Sequence, residues 1–265
     1  MIKIGIIGAA VLAAVSCSNG NTMIKIGIIG AEDIEVAHLK SLLARPERAQ
    51  VAGIEFFSGQ IGGCPAVVAQ SGICKVNAAI CAQLLITRFG ATHLVNTGIA
   101  GAVSPELSPL DIVVSTSARY HDVDVSEFGY PVGTVPKMPD EFFADAGMLD
   151  AADKAAKRLG LPRTIVRGRI ATGDAFISDA ARRNAINALF SPACVEMEGA
   201  AVAHTATLNG IPFVIIRCIS DRADGAGKDD YTFNQEAAAE TSAALVAGIT
   251  AELFARGEYY GKIQG

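Results

Sequence analysis

The sequence has no tryptophan, and aromatic residues fill only 6% of its 265 positions. A core built on large rings is therefore excluded, and the 51% hydrophobic content rests on the Ala, Val and Ile that, with 27 glycines, suit close packing of helices on a parallel sheet. A basic cluster is also missing, and the formal net charge is -5. That balance argues against binding a nucleic-acid backbone and favours a small neutral or cationic ligand. The six cysteines (Cys17, Cys64, Cys74, Cys81, Cys194 and Cys218) show no CxxC spacing. They read as mostly reduced, buried thiols of a cytoplasmic protein. His38, His93, His121 and His204 lack the spacing of a metal centre, so neither a metal nor a cofactor is expected.

The N-terminus repeats itself. MIKIGIIGA occupies Met1 to Ala9 and again Met23 to Ala31, letter for letter. The apolar stretch after the first copy is too short to span a bilayer, and with Cys17 it is similar to a lipoprotein signal. Two readings stand: a duplicated start, or a signal that would anchor the chain by lipid at Cys17. A chain of this length can bury its core in one domain. Residues 1–22 are thus expected to be an extension and residues 23–265 the folded domain. The second copy is expected to be the opening strand, because acids suited to a helix N-terminus follow it (Glu32, Asp33 and Glu35).

From Met23 the pattern is α/β. Strands are expected at Ile24 to Ile29, Phe56 to Ile61, Pro65 to Gln70, His93 to Thr97, Asp111 to Ser117, Thr164 to Thr172 and Cys194 to Met197. Helices are expected at Val36 to Leu43, Lys75 to Phe89, Glu141 to Leu159, Asp179 to Leu189, Gly199 to Asn209 and Phe233 to Phe254. The stretch from Arg119 to Met138 is long, irregular and polar-aromatic, the kind of loop that usually carries function. The most informative line is Ile211 to Asp221. Its run Phe213 to Ile216 is apolar on both faces, as in a central parallel strand, and it closes on Arg217, Ser220 and Asp221. Ligands of open α/β sheets bind at the carboxyl ends of strands, so Asp221 either belongs to a site or caps the following turn.

The motifs GIIGAEDIEV (Gly27 to Val36), SGICKVNAA (Ser71 to Ala79), NTGIAG (Asn96 to Gly101), ARYHDVDVSEFGY (Ala118 to Tyr130), TGDAFI (Thr172 to Ile177), VEMEGAA (Val195 to Ala201) and RCISD (Arg217 to Asp221) carry a resemblance. From Met23 onward the chain resembles the 5'-methylthioadenosine/S-adenosylhomocysteine nucleosidase family. The resemblance implies a nucleoside phosphorylase-like α/β fold: a single-domain three-layer sandwich with a central, mostly parallel, mixed and twisted sheet flanked by helices.

The residue types suit the implied chemistry. Breaking an N-ribosidic bond leaves adenine as a poor anion unless N7 receives a proton, and a carboxylic acid kept in a dry site can deliver it. Asp221 beside Ser220 is placed for that role. By resemblance, Glu35 deprotonates the attacking water and Arg217 helps to hold it, an acid and a base on opposite sides of the bond as in glycosidases. From the residues alone, Glu35 reads as a solvated first-turn glutamate, and it is the resemblance that reverses this.

The resemblance further gives Glu198 to the ribose hydroxyls, Met197 to packing under the sugar, and Glu196 to a supporting role. It gives Phe176 to stacking on adenine and the Ile177 backbone to reading the adenine edge. Ala100 and Gly101 let backbone approach the ligand. Ile73 and Phe233 belong to the 5' pocket, and Val125, Phe128 and Tyr130 reach across a homodimer interface to wall the neighbour's pocket, with loop 119–138 completing that site. Glu32 stands where the family often has Met, and Ile99 where a Ser can occur. Acids rather than arginines after the first strand favour hydrolysis over phosphorolysis. A futalosine-type or other purine nucleosidase, and a nucleoside-binding relative without turnover, are the alternatives.

Overall fold

The computed structural model describes residues 22–160, 164–223, 227–257 and 259–260, with the backbone alone for residues 22, 227–234 and 259–260. The first copy of the repeat and Cys17 lie outside the described residues. The elements run β1 (Thr22–Met23), β2 (Ile26–Gly30), α1 (Asp33–Ser41), β3 (Ala44–Val51), β4 (Ile54–Ile61), β5 (Cys64–Gln70), α2 (Lys75–Thr87), β6 (His93–Ala102), β7 (Ile112–Tyr120), β8 (Phe142–Phe143), α3 (Ala146–Leu159), β9 (Ile165–Thr172), α4 (Ala180–Phe190), β10 (Cys194–Glu196), α5 (Gly199–Leu208), β11 (Phe213–Asp221), α6 (Gly227–Ala255) and β12 (Tyr259–Tyr260). The second copy of the repeat therefore supplies the buried strand β2.

The central sheet has the order β10-β9-β7-β11-β6-β2-β5-β4-β3. Its middle strands β5, β2, β6 and β11 are parallel, while β4, β3 and the β11–β7 joint are antiparallel. Strand β10 pairs with both β9 and β6, so β6, β11, β7, β9 and β10 close into a ring. Helices cover two faces. Alternation along β11 sends Val214, Ile216 and Cys218 into the core shared with α1, α3 and α6. Phe213, Ile215 and Ile219 enter the core under α2 and α5. Arg217 shares their parity. A guanidinium therefore stands where that face otherwise carries aliphatic side chains.

Several elements differ from the sequence expectation. Strand β3, ARPERAQV, was not expected: it is a hydrophilic edge strand with seven of its eight residues exposed, so no apolar alternation marks it. The helix expected from Glu141 begins instead at Ala146, because Asp145 Oδ1 accepts from Met148 N at 2.9 Å and starts the helix there. Phe142 is left to pair with Ala118 of β7. Strand β6 continues past Thr97 to Ala102, its glycines pairing with Arg217, Asp221 and Val195.

Candidate active site

The carboxyl ends of β2, β6, β10 and β11 open into one cavity of about 600 Å³. Glu35, Glu198 and Asp221 line it and are 4%, 5% and 1% exposed.

Each carboxylate has its own support. Glu35 lies in the first turn of α1, where Oε2 accepts from Ala31 N (2.6 Å) and Glu32 N (3.0 Å). Its Oε1 accepts from Ile99 N of β6 at 3.0 Å. Glu35 is thus not a solvated helix-start residue: it ties α1 to the sheet. Asp221 Oδ1 accepts from Ala223 N at 2.8 Å, and Ser220 Oγ lies 2.8 Å from Oδ2. Glu198 Oε1 accepts from Cys74 N at 2.9 Å.

Behind these groups lies Arg217, fully buried. Nη2 donates to Asn96 Oδ1 at 2.6 Å and to Glu196 Oε2, and lies 3.5 Å from Glu198 Oε2. Asn96 Nδ2 in turn donates to Ile29 O at 3.0 Å. Glu196 also accepts from Thr172 Oγ1 and from the amides of Glu198 (3.1 Å) and Gly199 (2.7 Å), so it holds the start of α5. Arg217 Nε and Nη1 have no hydrogen-bond partner among the described residues. On the strand facing them is Gly98, where an added methyl would overlap both Arg217 Nη1 and Glu35 Oε1.

Electrostatics follow from counting charges. One guanidinium stands among Glu35, Glu196 and Glu198, and three buried carboxylates cannot all ionise at ordinary cost beside one cation. Burial pushes Glu35 up from the usual carboxylate range, against the pull of Arg217 and three backbone amides. Burial first, then the charge of Glu196, push Glu198 up to about 8 despite Arg217. Glu196 takes the direct Arg217 contact, and Glu198 stands farther from the guanidinium.

This has a stability consequence. Glu198 binds its proton more tightly folded than unfolded, so the folded state holds the extra proton between pH 4.5 and about 8. Stability contributed there is complete below the unfolded value and is lost as pH rises through that window. Glu35 acts in the same direction. Thermal unfolding from pH 5 to 8 should show Tm falling in the parental protein and falling less in Glu198→Gln; equal slopes would contradict this.

The family model of the phosphorylase superfamily matches residues 25–253. A 5'-methylthioadenosine/S-adenosylhomocysteine nucleosidase of Shewanella denitrificans is 45% identical over 230 residues, covering 86% of this chain and 100% of that protein. The one from Halalkalibacterium halodurans is 44% identical over 232 residues, 87% of this chain and 100% of that protein. A crystal structure of the nucleosidase from Colwellia psychrerythraea in complex with adenine is 40% identical and superposes with a TM-score of 0.85, over 88% of this chain and 96% of that one. The chain belongs to the phosphorylase superfamily, among its 5'-methylthioadenosine/S-adenosylhomocysteine nucleosidases.

Of the residues singled out for this nucleosidase-family site, Glu35, Ile73, Ala100, Gly101, Phe176, Met197, Glu198, Ser220 and Asp221 line the cavity together. Arg217 lies behind its wall. Ile177 is buried with Ile186, Phe190 and Val195. Val125, Phe128 and Tyr130 are not among the lining residues, and Phe128 is 81% exposed on a 3-10 turn, Ser126–Phe128. The side chain of Phe233 lies outside the described residues. Glu32 and Ile99, noted only as departures from the family, also line the cavity, as do Ser178 and Val195. The last two directly flank or open quoted motifs, and that adjacency was the available signal.

Cys74 lies inside the quoted motif SGICKVNAA, where only Ile73 was singled out. Its φ of 81° and ψ of 163° fall where essentially only glycine rests without strain. Its amide nevertheless holds Glu198. Such strain costs about 1–3 kcal/mol, partly offset by the greater freedom of glycine in the unfolded chain. Cys74→Gly should raise Tm by about 2–4 °C in calorimetry; an unchanged or lower Tm would show that the backbone is not strained there.

Proposed function

We propose that the chain hydrolyses the N-ribosidic bond of 5'-methylthioadenosine and S-adenosylhomocysteine, releasing adenine and the thioribose. The observation that carries this is the convergence of Glu35, Glu198 and Asp221, all buried, on one cavity with Arg217 behind it. Asp221 gives a proton to purine N7 as the bond to C1' breaks. Glu35 takes a proton from water, whose oxygen bonds to C1'; burial moves this base toward the working pH, where a general base is most effective. Arg217 Nη1, beside Glu35 Oε1 at Gly98, offers the donor that orients the water. Glu198 accepts from the ribose hydroxyls, and those bonds strengthen as positive charge develops on the sugar. Met197 packs under the sugar. Phe176, half exposed at the cavity, stacks on adenine, and the Ile177 backbone reads its edge.

The cavity is lined by Glu32, Glu35, Glu196, Glu198 and Asp221 and, among the described residues, by no Lys or Arg. That acid-rich lining, with no lysine or arginine to pair with a phosphate dianion, favours water as the nucleophile. A solved futalosine hydrolase from Helicobacter pylori is 29% identical with a TM-score of 0.83, so futalosine-type nucleosides are the competing substrates. The test is release of the purine base by purified protein, adenine from methylthioadenosine and adenosylhomocysteine and hypoxanthine from futalosine, assayed in parallel. Release from the first two supports the reading, and release from futalosine alone contradicts it.

A homodimer belongs to the same reading. Phe128 is an apolar side chain left almost wholly in solvent, and Val76 and Ile80 of α2 are exposed apolar residues as well. A second copy covering them would bring Val125, Phe128 and Tyr130 to the neighbour's 5' pocket. Sedimentation at the mass of one chain would rule this out.

A further inference from the structure

Phe176 lies in the segment between Thr172 of β9 and Ala180 of α4, which has no regular secondary structure. Something other than a helix or sheet ladder has to hold it. Asp174, two residues before Phe176, is joined to two distant segments. Its Oδ1 accepts from Lys75 N, in the first turn of α2, at 2.9 Å, and its own amide donates to Asp122 Oδ2 at 2.8 Å. The Lys75 ammonium closes the triangle. Nζ donates to both oxygens of Asp122 (2.8 and 2.7 Å) and lies 3.4 Å from Asp174 Oδ2. Its position over the Tyr120 ring, 5.4 Å from the centroid, adds a further contact from the end of β7.

We propose that Lys75, Asp122 and Asp174 form a clamp that positions the Phe176 segment over the cavity, making Lys75 and Asp122 positioning residues for nucleoside binding. This rests on the nucleosidase reading above. No side chain of its own caps α2. Two carboxylates from elsewhere take consecutive amides there instead, Glu198 on Cys74 N and Asp174 on Lys75 N. The start of α2 is also the positive end of the helix dipole, which suits both acids. The clamp therefore fixes the group that meets the ribose and the segment that meets adenine to the same turn of backbone. Isolated surface ion pairs contribute little. This cluster differs, because one cation is shared by two carboxylates that also accept backbone amides, and its members are only 21–43% exposed. Burial opposes ionisation of Asp122, yet the Lys75 ammonium and the Asp174 amide hold its carboxyl below the usual range.

The test uses the whole chain and three variants: Asp122→Asn, Lys75→Met and Lys75→Arg. Steady-state adenine release should show KM raised about fivefold to tenfold in the first two, with kcat within about twofold, since ordering of a binding segment is lost while the reacting groups stay. Adenine itself should bind more weakly by calorimetry, and amide exchange over residues 173–178 should quicken. Lys75→Arg should recover most of the parental KM, because a guanidinium can still bridge two carboxylates. Parental KM and exchange in Asp122→Asn, or a fall in kcat at unchanged KM, would overturn the clamp. If the parental protein releases no adenine at all, that failure falls on the nucleosidase reading, and the exchange measurement still decides the clamp.

Discussion

Asp221→Asn should lower adenine release by about two to four orders of magnitude, the range lost with a general acid, and should leave the fold intact. The amide has the same shape as the carboxyl it replaces. Its oxygen can still accept from Ala223 N, and the Ser220 hydroxyl can turn to accept rather than donate. What the amide cannot do is give N7 a proton, so adenine must leave as an anion. Glu35→Gln should lose turnover to a similar degree from the opposite side of the bond, because it can no longer take the proton of water. It should still bind a mimic of the positively charged transition state, since Glu198 and Asp221 remain. Near-parental turnover in either variant, with binding and Tm preserved, would remove the corresponding role.

Gly98→Ala should be nearly as damaging, although it adds a single methyl and removes no polar atom. The methyl would overlap Arg217 Nη1 and Glu35 Oε1 and stand 3.0 Å from Glu35 Cδ. Neither group can retreat easily. Glu35 is tied to three amides, and Arg217 is tied through Nη2 to Asn96 and Glu196 in a fully buried setting. Overpacking of this kind costs about 1–3 kcal/mol of stability. A misplacement of about 1 Å between base and substrate can cost on the order of a hundredfold in rate. Calorimetry and adenine release on the same preparation check both parts. A Gly98→Ala protein with parental Tm and turnover would mean that the two side chains do not meet at this strand.

Much of this arrangement could be read from the residues because it follows local rules. The apolar run Phe213 to Ile216 marked β11, and the strand-end positions of Ser220 and Asp221 marked one side of the cavity. Glu35 was legible only through the whole GIIGAEDIEV motif, since a first-turn glutamate is ordinarily a solvated residue. The partners of Arg217 were less legible. Parity along β11 turns its side chain toward α2 and α5, but Glu196 meets it only because β10 pairs with both β9 and β6. Pairings across that many residues leave no mark in local periodicity. Strand β3 was hidden for the opposite reason: a polar edge strand buries too little to need an apolar pattern. The clamp around Lys75 joins three segments far apart in sequence, and its charged residues are of the kind that usually decorate a solvated surface.

Water, rather than phosphate, should reach C1' under the control of Glu35. The most direct measurement is turnover of methylthioadenosine in water enriched in oxygen-18, with inorganic phosphate present, followed by mass analysis of the sugar. Adenine and a free thioribose carrying one heavy oxygen at C1 are expected, at a rate independent of phosphate. A sugar 1-phosphate without label at C1, formed at a rate that rises with phosphate, would contradict hydrolysis.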